Sequence, residues 1–123
     1  GELSRIMLAI KTVFSDVDNT PIMIFDEIDT GISGVAASSV SEKMRTISLK
    51  HQVICVTHLA VIAAKAKYNY YIYKDVIDGK TYSNIKLLDE RETLNEIARI
   101  STGSTSKIAI EHAIALRKEK RVS

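Results

Sequence analysis

An apolar run that ends in two adjacent carboxylates constrains the fold of this chain more than any other feature. The run is Ile22–Phe25, and it is preceded by Pro21 and followed by Asp26 and Glu27. Four large apolar residues between such boundaries predict a strand that is buried on both faces of a sheet. Open α/β sheets bind their ligands at the carboxyl ends of parallel strands, which is where the two acids would lie. The functional question is therefore what Asp26 and Glu27 hold there.

Hydrophobic periodicity and turn residues predict that helices and strands alternate along the rest of the chain. The predicted elements are a helix over residues 1–14, the strand over 22–25, a helix from 33 to 50, a strand over 52–57, a short helix over 59–67, a hairpin over 70–87 and two later helices. Strands that alternate with helices favour a mainly parallel sheet, and the hairpin would add antiparallel strands at one edge. The predicted class is α/β, with helices flanking the sheet.

Composition indicates one ordinary soluble domain. The chain has 123 residues, 46% of them apolar, and its net charge of +2 indicates neither a nucleic acid nor an acidic partner. The basic residues concentrated at 117–121 favour a solvated helix end over a DNA-binding patch. Cys55 is the only cysteine, which implies no disulfide and a reducing compartment. Because the sequence shows no signal peptide and no membrane-spanning stretch, we expect a cytoplasmic protein.

The acid pair at the end of the first strand matches the Walker B pattern of P-loop nucleotide hydrolases. Asp26 would hold Mg²⁺ beside the phosphates, and Glu27 would accept a proton from the attacking water. The pattern alone is not specific, because an acidic helix cap explains the pair about as well. His58 follows the second strand, and if the strands are neighbours its imidazole would lie near the acids and hydrogen-bond a terminal phosphate. Capping of the next helix is the alternative role of His58.

Three stretches of the sequence together resemble a known family. They are Gly-Glu-Leu-Ser-Arg at residues 1–5, Phe-Asp-Glu-Ile-Asp-Thr-Gly-Ile-Ser-Gly at 25–34 and Val-Thr-His-Leu at 56–59. The first resembles the end of the signature motif of ABC-type ATPases. The set is similar to the second half of an ABC-type head, and most closely to the C-terminal part of the RecN family of bacterial DNA-repair proteins, which are related to the SMC chromosome proteins. The resemblance is strong over about residues 1–66, whereas the later elements fit it only in order and length.

The resemblance implies roles for the residues at the ends of the two strands. Asp26 would support Mg²⁺, Glu27 would orient and deprotonate the hydrolytic water, and His58 would contact the γ-phosphate of ATP. Hydrolysis of ATP bound between two heads would then drive the heads apart. In the complete protein this cycle would serve DNA double-strand-break repair and recombination in the bacterial cytoplasm, in association with the nucleoid.

The resemblance also implies contacts across a dimer of heads. Gly1 and Glu2 would belong to the signature loop, which binds the nucleotide held by the opposite head. The loop from Asp29 to Ser33 would cross the dimer interface. SMC-type relatives often end this loop in Leu-Asp, but here it ends in Ile-Ser, so Ser33 is a weaker candidate than Asp29. The expected partners are a second head in a homodimer, DNA in the complete protein, and no membrane.

The sequence lacks other parts of such an ATPase. No Gly-x-x-x-x-Gly-Lys-Ser/Thr occurs in it, so the P-loop and its lysine are missing. The chain also opens without Met inside a predicted helix, and we expect residues 1–123 to be a single domain, the C-terminal half of a head without its Walker A half. Alone it should neither bind ATP tightly nor hydrolyse it. The strand Ile22–Phe25 would have an exposed apolar edge, so the isolated chain should be poorly stable, dimerise or swap.

Other functions remain open at this point. One alternative is the head of another SMC-like or ABC ATPase, including a transporter subunit, and another is a non-catalytic module that docks a partner. A nuclease would use Asp16, Asp18 and Glu27 as metal ligands, although the first two fit a turn better. The tyrosines of residues 68–73 would pack on a helix rather than stack on bases.

Overall fold

The chain folds as five α-helices and four β-strands in a computed structural model that describes residues 1–118. The elements are α1 (Glu2–Val13), β1 (Ile22–Phe25), α2 (Gly34–Ile47), β2 (Gln52–Cys55), α3 (Ala60–Lys65), β3 (Tyr70–Ile77), β4 (Lys80–Leu87), α4 (Glu90–Thr102) and α5 (Lys107–Lys118). This order confirms the predicted alternation, with β2 and α3 shorter than expected. The predicted basic helix end at 117–121 lies in part outside the described residues.

The two short strands β1 and β2 pair in parallel, so they end at the same edge of their sheet. Ile22 is level with Gln52, and Phe25 is level with Cys55. The pairing extends one bond beyond the end of β2, because the Val56 amide donates to the Phe25 carbonyl at 2.9 Å. The two strands are therefore neighbours, as the prediction for His58 requires, and the loops that follow them leave the sheet side by side.

The hairpin differs from the prediction, because it does not extend the parallel sheet. β3 and β4 form a separate two-stranded antiparallel sheet, paired from Tyr70 and Leu87 to Ile77 and Lys80. The residues of its turn, Asp78 and Gly79, have the positive φ angles of 49° and 72° that tight hairpin turns favour. Pairing across this turn satisfies the facing backbone groups locally. The fold is thus a mixed α/β domain with one parallel and one antiparallel pair, rather than one mainly parallel sheet.

The first strand is covered on one face only, which corrects the prediction of a strand buried on both faces. Met23 and Phe25 are each 6% exposed, whereas Ile22 and Ile24 are 48% and 68% exposed. The side chains alternate across the pleat, and the main core lies on one side of the sheet. Within residues 1–118, β2 is the only strand paired with β1, so the outer edge of β1 is open.

Within residues 1–118, two apolar clusters join the helices to one another and to the parallel sheet, and neither includes a residue of the hairpin. The larger one joins α1, β1, α2 and α3, and its buried residues are Leu8, Met23, Phe25, Ile28, Ala37, Val40, Met44, Ile47 and Ile62. The smaller one joins α3, α4 and α5, and its buried residues are Ala64, Ile97, Ala98, Ala109 and Ala113. A capping box between Asp89 and Glu92 begins α4, and Gly103 ends it in the left-handed conformation. No helix within residues 1–118 has the length and apolarity needed to span a bilayer.

Candidate functional site

Two loops at the carboxyl ends of the parallel strands form the candidate site. We call residues 26–33, between β1 and α2, the acidic loop, and residues 56–59, between β2 and α3, the histidine loop. Asp26 and Glu27 are both exposed at the start of the acidic loop. Neither carboxylate forms a hydrogen bond or an ion pair with any residue of the described chain, 1–118. Both are therefore free to bind a ligand.

Asp29 joins the acidic loop to the histidine loop. Its side chain is buried, with 2% of its surface exposed. Its Oδ2 atom accepts hydrogen bonds from the Thr57 hydroxyl and, at 2.8 Å, from the His58 amide. The Nδ1 atom of His58 lies 3.2 Å from the same oxygen, while 72% of the imidazole side chain is exposed. Asp29 thus fixes the backbone from which His58 projects towards solvent.

The hydrogen bonds to Asp29 also decide its charge. Burial by itself raises the pKa of this carboxyl group, but the hydrogen bonds from the Thr57 hydroxyl and the His58 amide lower it, and the net shift is below the ordinary value. The group is therefore ionised at neutral pH. The pKa of the nearby Cys55 thiol is raised to about 12 by burial and by the charges of Asp29 and Asp26. This cysteine is accordingly a poor nucleophile.

The beginning of α1 lies directly against the acidic loop. The Ser4 hydroxyl donates to the Asp26 carbonyl at 3.0 Å. The Arg5 guanidinium donates to the Ile28 carbonyl at 3.2 Å and to the Thr30 carbonyl at 2.9 Å. These contacts join the segment that resembles a signature motif to the acids of the same chain.

The other residues predicted for the dimer interface lie at the rim of this site. Gly1 is the N-cap of α1, and Glu2 is exposed in its first turn. Ser33 is exposed and occupies the predicted N-cap position of α2, but its side chain makes no capping hydrogen bond. Asp29 differs from these residues, because its buried carboxylate cannot reach a ligand outside the loop. Its predicted contact with nucleotide would therefore need the loop to open.

The carboxylates of the site fit Mg²⁺ only as part of a larger ligand set. Among residues 1–118 no group of three or more His, Cys, Asp or Glu side chains is arranged to hold a metal ion. Mg²⁺ commonly keeps several waters and binds through one or two carboxylates together with substrate phosphates. The exposed, unpaired carboxylate of Asp26 suits that arrangement.

The acids proposed for a nuclease do not come together with Glu27. Asp16 pairs with Lys50, and Asp18 pairs with Lys11. The hydrogen bond from Lys11 is the main cause of the lowered pKa of Asp18. Both aspartates precede β1, whereas Glu27 follows it, so the strand separates them. The metal site of the nuclease hypothesis is therefore wrong.

Sequence reasoning missed the residues that support the two loops. Arg5 and Thr57 were not singled out, although they bond to the acidic loop. Helices often have a basic residue in their first turn, and threonine often precedes histidine. Neither residue therefore stands out in the sequence until its tertiary contact is known. His51 is buried, with Nδ1 2.7 Å from the Thr20 carbonyl and Nε2 3.3 Å from the Ser15 carbonyl. These two hydrogen bonds hold the loop between α1 and β1 in place.

The fold and these loops define a class of protein: an α/β domain with a carboxylate pair and a histidine at the carboxyl ends of adjacent parallel strands. No family model matches the chain. It is, however, 50% identical over 113 residues to the DNA repair protein RecN of Deinococcus radiodurans, covering 92% of this chain. It is 42% identical over 120 residues, 97% of its length, to RecN of Bacillus subtilis. RecN of Xylella fastidiosa is 50% identical over 103 residues, 84% of the chain.

These relatives confirm the resemblance to RecN that the three motifs predicted. The chain is a RecN-type sequence along nearly all of its length, including the hairpin and the helices beyond residue 66. It spans 18–21% of the length of these relatives, or about one fifth. The similarity therefore does not by itself show what a whole protein of this type binds or does.

Proposed function

We propose that this chain is the C-terminal lobe of a RecN-type ATPase head that acts in DNA double-strand-break repair and recombination. One observation carries the proposal: Asp26 and Glu27 are exposed and unpaired at the end of β1, in register with the strand that delivers His58. The end of a rigid strand can position side chains that must contact a phosphate at fixed distances. The names of the relatives, all DNA repair proteins, supply the biological context.

Each group of the site has a separate task in this proposal. Asp26 supports Mg²⁺, which when bound would neutralise charge on the β- and γ-phosphates of ATP. Glu27 orients the attacking water and accepts its proton, because its carboxylate is exposed and has no competing partner within residues 1–118. His58 donates a hydrogen bond to the γ-phosphate from an exposed imidazole whose backbone is held by Asp29.

A second head completes the site. Gly1 and Glu2 at the beginning of α1 would contact the nucleotide of the opposite head, where free backbone N–H groups suit a phosphate. The exposed part of the acidic loop, including Ser33, would lie across the interface. Asp29, whose buried carboxylate accepts from the His58 amide, would shape the loop and would contact nucleotide only if the loop opened.

The remaining parts of the head would come from elsewhere in a longer protein. The relatives are about five times as long as the matched region, which leaves room for a P-loop, a coiled coil and DNA-binding surfaces. The exposed side chains of Ile22 and Ile24 support a further sheet layer or strand beside β1. In this proposal the complete protein works as a homodimer on DNA in the bacterial cytoplasm.

Substitution of the proposed base tests this function. In the full-length protein, Glu27→Gln should lower the rate of ATP hydrolysis by about 100-fold or more, because a general base contributes at least that factor. It should also trap an ATP-bound dimer, visible by light scattering. Glu111→Gln is the matched control, since Glu111 is exposed on α5 and has no hydrogen-bond or ion-pair partner within residues 1–118. Retained hydrolysis in Glu27→Gln would show that Glu27 is not the base.

A docking module is the second candidate, and the exposed apolar face of the hairpin favours it. Tyr70, Ile72, Ile85 and Leu87 lie on one face of this sheet and are each more than half exposed. If the wild-type full-length protein binds a partner but hydrolyses no ATP, the docking function replaces the ATPase.

A further inference from the structure

The acidic loop is held from both sides of Glu27 by the first turn of α1. Ser4 binds the carbonyl of Asp26, which precedes Glu27, and Arg5 binds the carbonyl of Ile28, which follows it. Arg5 also binds the Thr30 carbonyl, so a single guanidinium spans the turn. Glu27 is thus framed by hydrogen bonds that originate in one helix, although 22 or more residues separate the partners in sequence.

The backbone of Glu27 needs such support. Its φ angle is +55°, in the left-handed region that a residue with a side chain rarely adopts. Conformations of this kind persist where the surrounding structure enforces them, and they concentrate at functional sites. Within the loop itself, the Thr30 amide donates to the Glu27 carbonyl at 3.2 Å. The other hydrogen bonds around Glu27 come from α1.

Close packing adds to these hydrogen bonds. A methyl group placed on Gly1 would lie 2.9 Å from the Glu27 carbonyl oxygen and 2.9 Å from the Thr30 Cβ atom. A real Cβ atom does not approach backbone so closely, so the contact requires glycine or a displaced loop. The N-terminus of α1 is consequently in direct contact with the backbone of Glu27.

We propose that Arg5 is a positioning residue that holds Glu27 in its hydrolytic orientation and couples it to the N-terminus of α1. The inference rests on the proposed function, because it assigns a task to the base of that reaction. Loss of Arg5 would leave the Ile28 and Thr30 carbonyls without these hydrogen bonds, and the turn that carries Glu27 would lose its support from α1.

The test uses the full-length protein and compares Arg5→Met, Arg5→Lys and Ser4→Ala with Arg91→Ala. Arg91 is an exposed arginine on α4 without a hydrogen-bond or ion-pair partner within residues 1–118, and its variant should behave as wild type. Arg5→Met should lower kcat at least about ten-fold, because small displacements of a reacting group carry large costs in rate. Arg5→Lys should recover part of this loss, since an ammonium can bind one carbonyl but lacks the planar fork.

Ser4→Ala removes one hydrogen bond at an exposed position and should lower kcat by a smaller factor than Arg5→Met. Two further readouts separate positioning from a general structural role. The affinity for ATP, measured in a Glu27→Gln background, should stay within about two-fold for each variant. The reason is that the hydrogen bonds of Arg5 orient the base and do not contribute to ATP binding. The melting temperature should also stay close to that of Arg91→Ala.

Three results would overturn the inference. The first is a kcat of Arg5→Met within about two-fold of wild type. The second is a loss of kcat accompanied by a similar fold loss of ATP affinity and by a lower melting temperature, which would indicate a general structural role. The third is hydrolysis retained by Glu27→Gln in the same series, which refutes the proposed function and this inference with it. When Glu27→Gln is inactive, the Arg5 variants decide the inference alone.

Discussion

Asp29 shows how one buried residue can hold two loops together. It is one of three carboxylates within four positions, yet it is buried while Asp26 and Glu27 are exposed. Burying an unpaired carboxylate is costly, and here Thr57 and the His58 amide offset that cost. The carboxylate in turn fixes the loop that presents His58. The position of the histidine therefore depends on a residue in another loop.

Asp29→Asn should lower the free energy of unfolding by about 1–3 kcal/mol at neutral pH, the cost of leaving a buried donor poorly paired. The difference from wild type should shrink on acidification. Because the folded-state pKa of Asp29 is lowered, its ionised form adds stability above the unfolded-state pKa, and that stability is lost as the pH falls through the folded-state pKa. Denaturant unfolding at about pH 7 and about pH 3 measures both effects.

The control for this experiment is Asp78→Asn, since Asp78 lies in the exposed hairpin turn and has a positive φ that Asn tolerates. Its unfolding free energy should differ little from wild type at either pH. A stability difference for Asp29→Asn that is constant or larger in acid would contradict the role given to the ionised carboxylate.

The ends of the strands could be predicted from the sequence, but the residues that hold the following loops in place could not. The apolar run and its acids predicted β1 and the location of Asp26 and Glu27 at its carboxyl end, because a strand boundary is a local property. The sequence did not predict that Asp29 would be buried, since Asp26 and Glu27 are equally acidic and only the contacts with Thr57 and His58 distinguish Asp29. Arg5 was missed for the same reason, as its two carbonyl partners lie more than twenty residues away.

At the scale of elements, helices and strands follow the sequence pattern more closely than sheets do. Each predicted element is present, because periodicity and capping act within a few residues. A parallel sheet was predicted, and β1 and β2 do pair in parallel, although their adjacency was only a condition of the prediction for His58. The hairpin forms its own sheet, since its turn lets β3 pair with β4 without a third strand. The run Ile22–Phe25 looked fully buried, but its second face has no covering layer in residues 1–118.

The open face of β1 gives a prediction that compares two lengths of chain. In the isolated 123-residue chain, Ile24→Ala should cost less than about 1 kcal/mol, because the side chain is 68% exposed. In the full-length protein, where we propose that this face is covered, the same change should cost about 2–4 kcal/mol. Hydrogen exchange of β1 amides measures the local free energy in both.

Ile108→Ala provides the matched control, since Ile108 is 79% exposed on α5 and remote from β1. It should cost little in either chain. If Ile24→Ala has the same small effect in both lengths, the face stays open in the full-length protein. The proposal that a further part of the head covers it would then be wrong.

At the scale of the whole molecule, the proposed function makes the two loops half of an active site. The chain supplies acids, a histidine and the helix that frames Glu27, and it lacks the phosphate-binding loop. That balance suits a lobe that works only when joined to the rest of its own head and to a second head. The expected instability or self-association of the isolated chain stays a prediction of the same view.

The most direct measurement is a structure of the full-length protein with Mg²⁺ and a non-hydrolysable ATP analogue. We predict nucleotide between two heads, with Asp26 beside the metal, Glu27 beside the water in line with the γ-phosphate, and His58 within hydrogen-bond distance of that phosphate, about 3 Å. Nucleotide bound away from the carboxyl ends of β1 and β2, with Glu27 more than about 10 Å from the γ-phosphate, would contradict it.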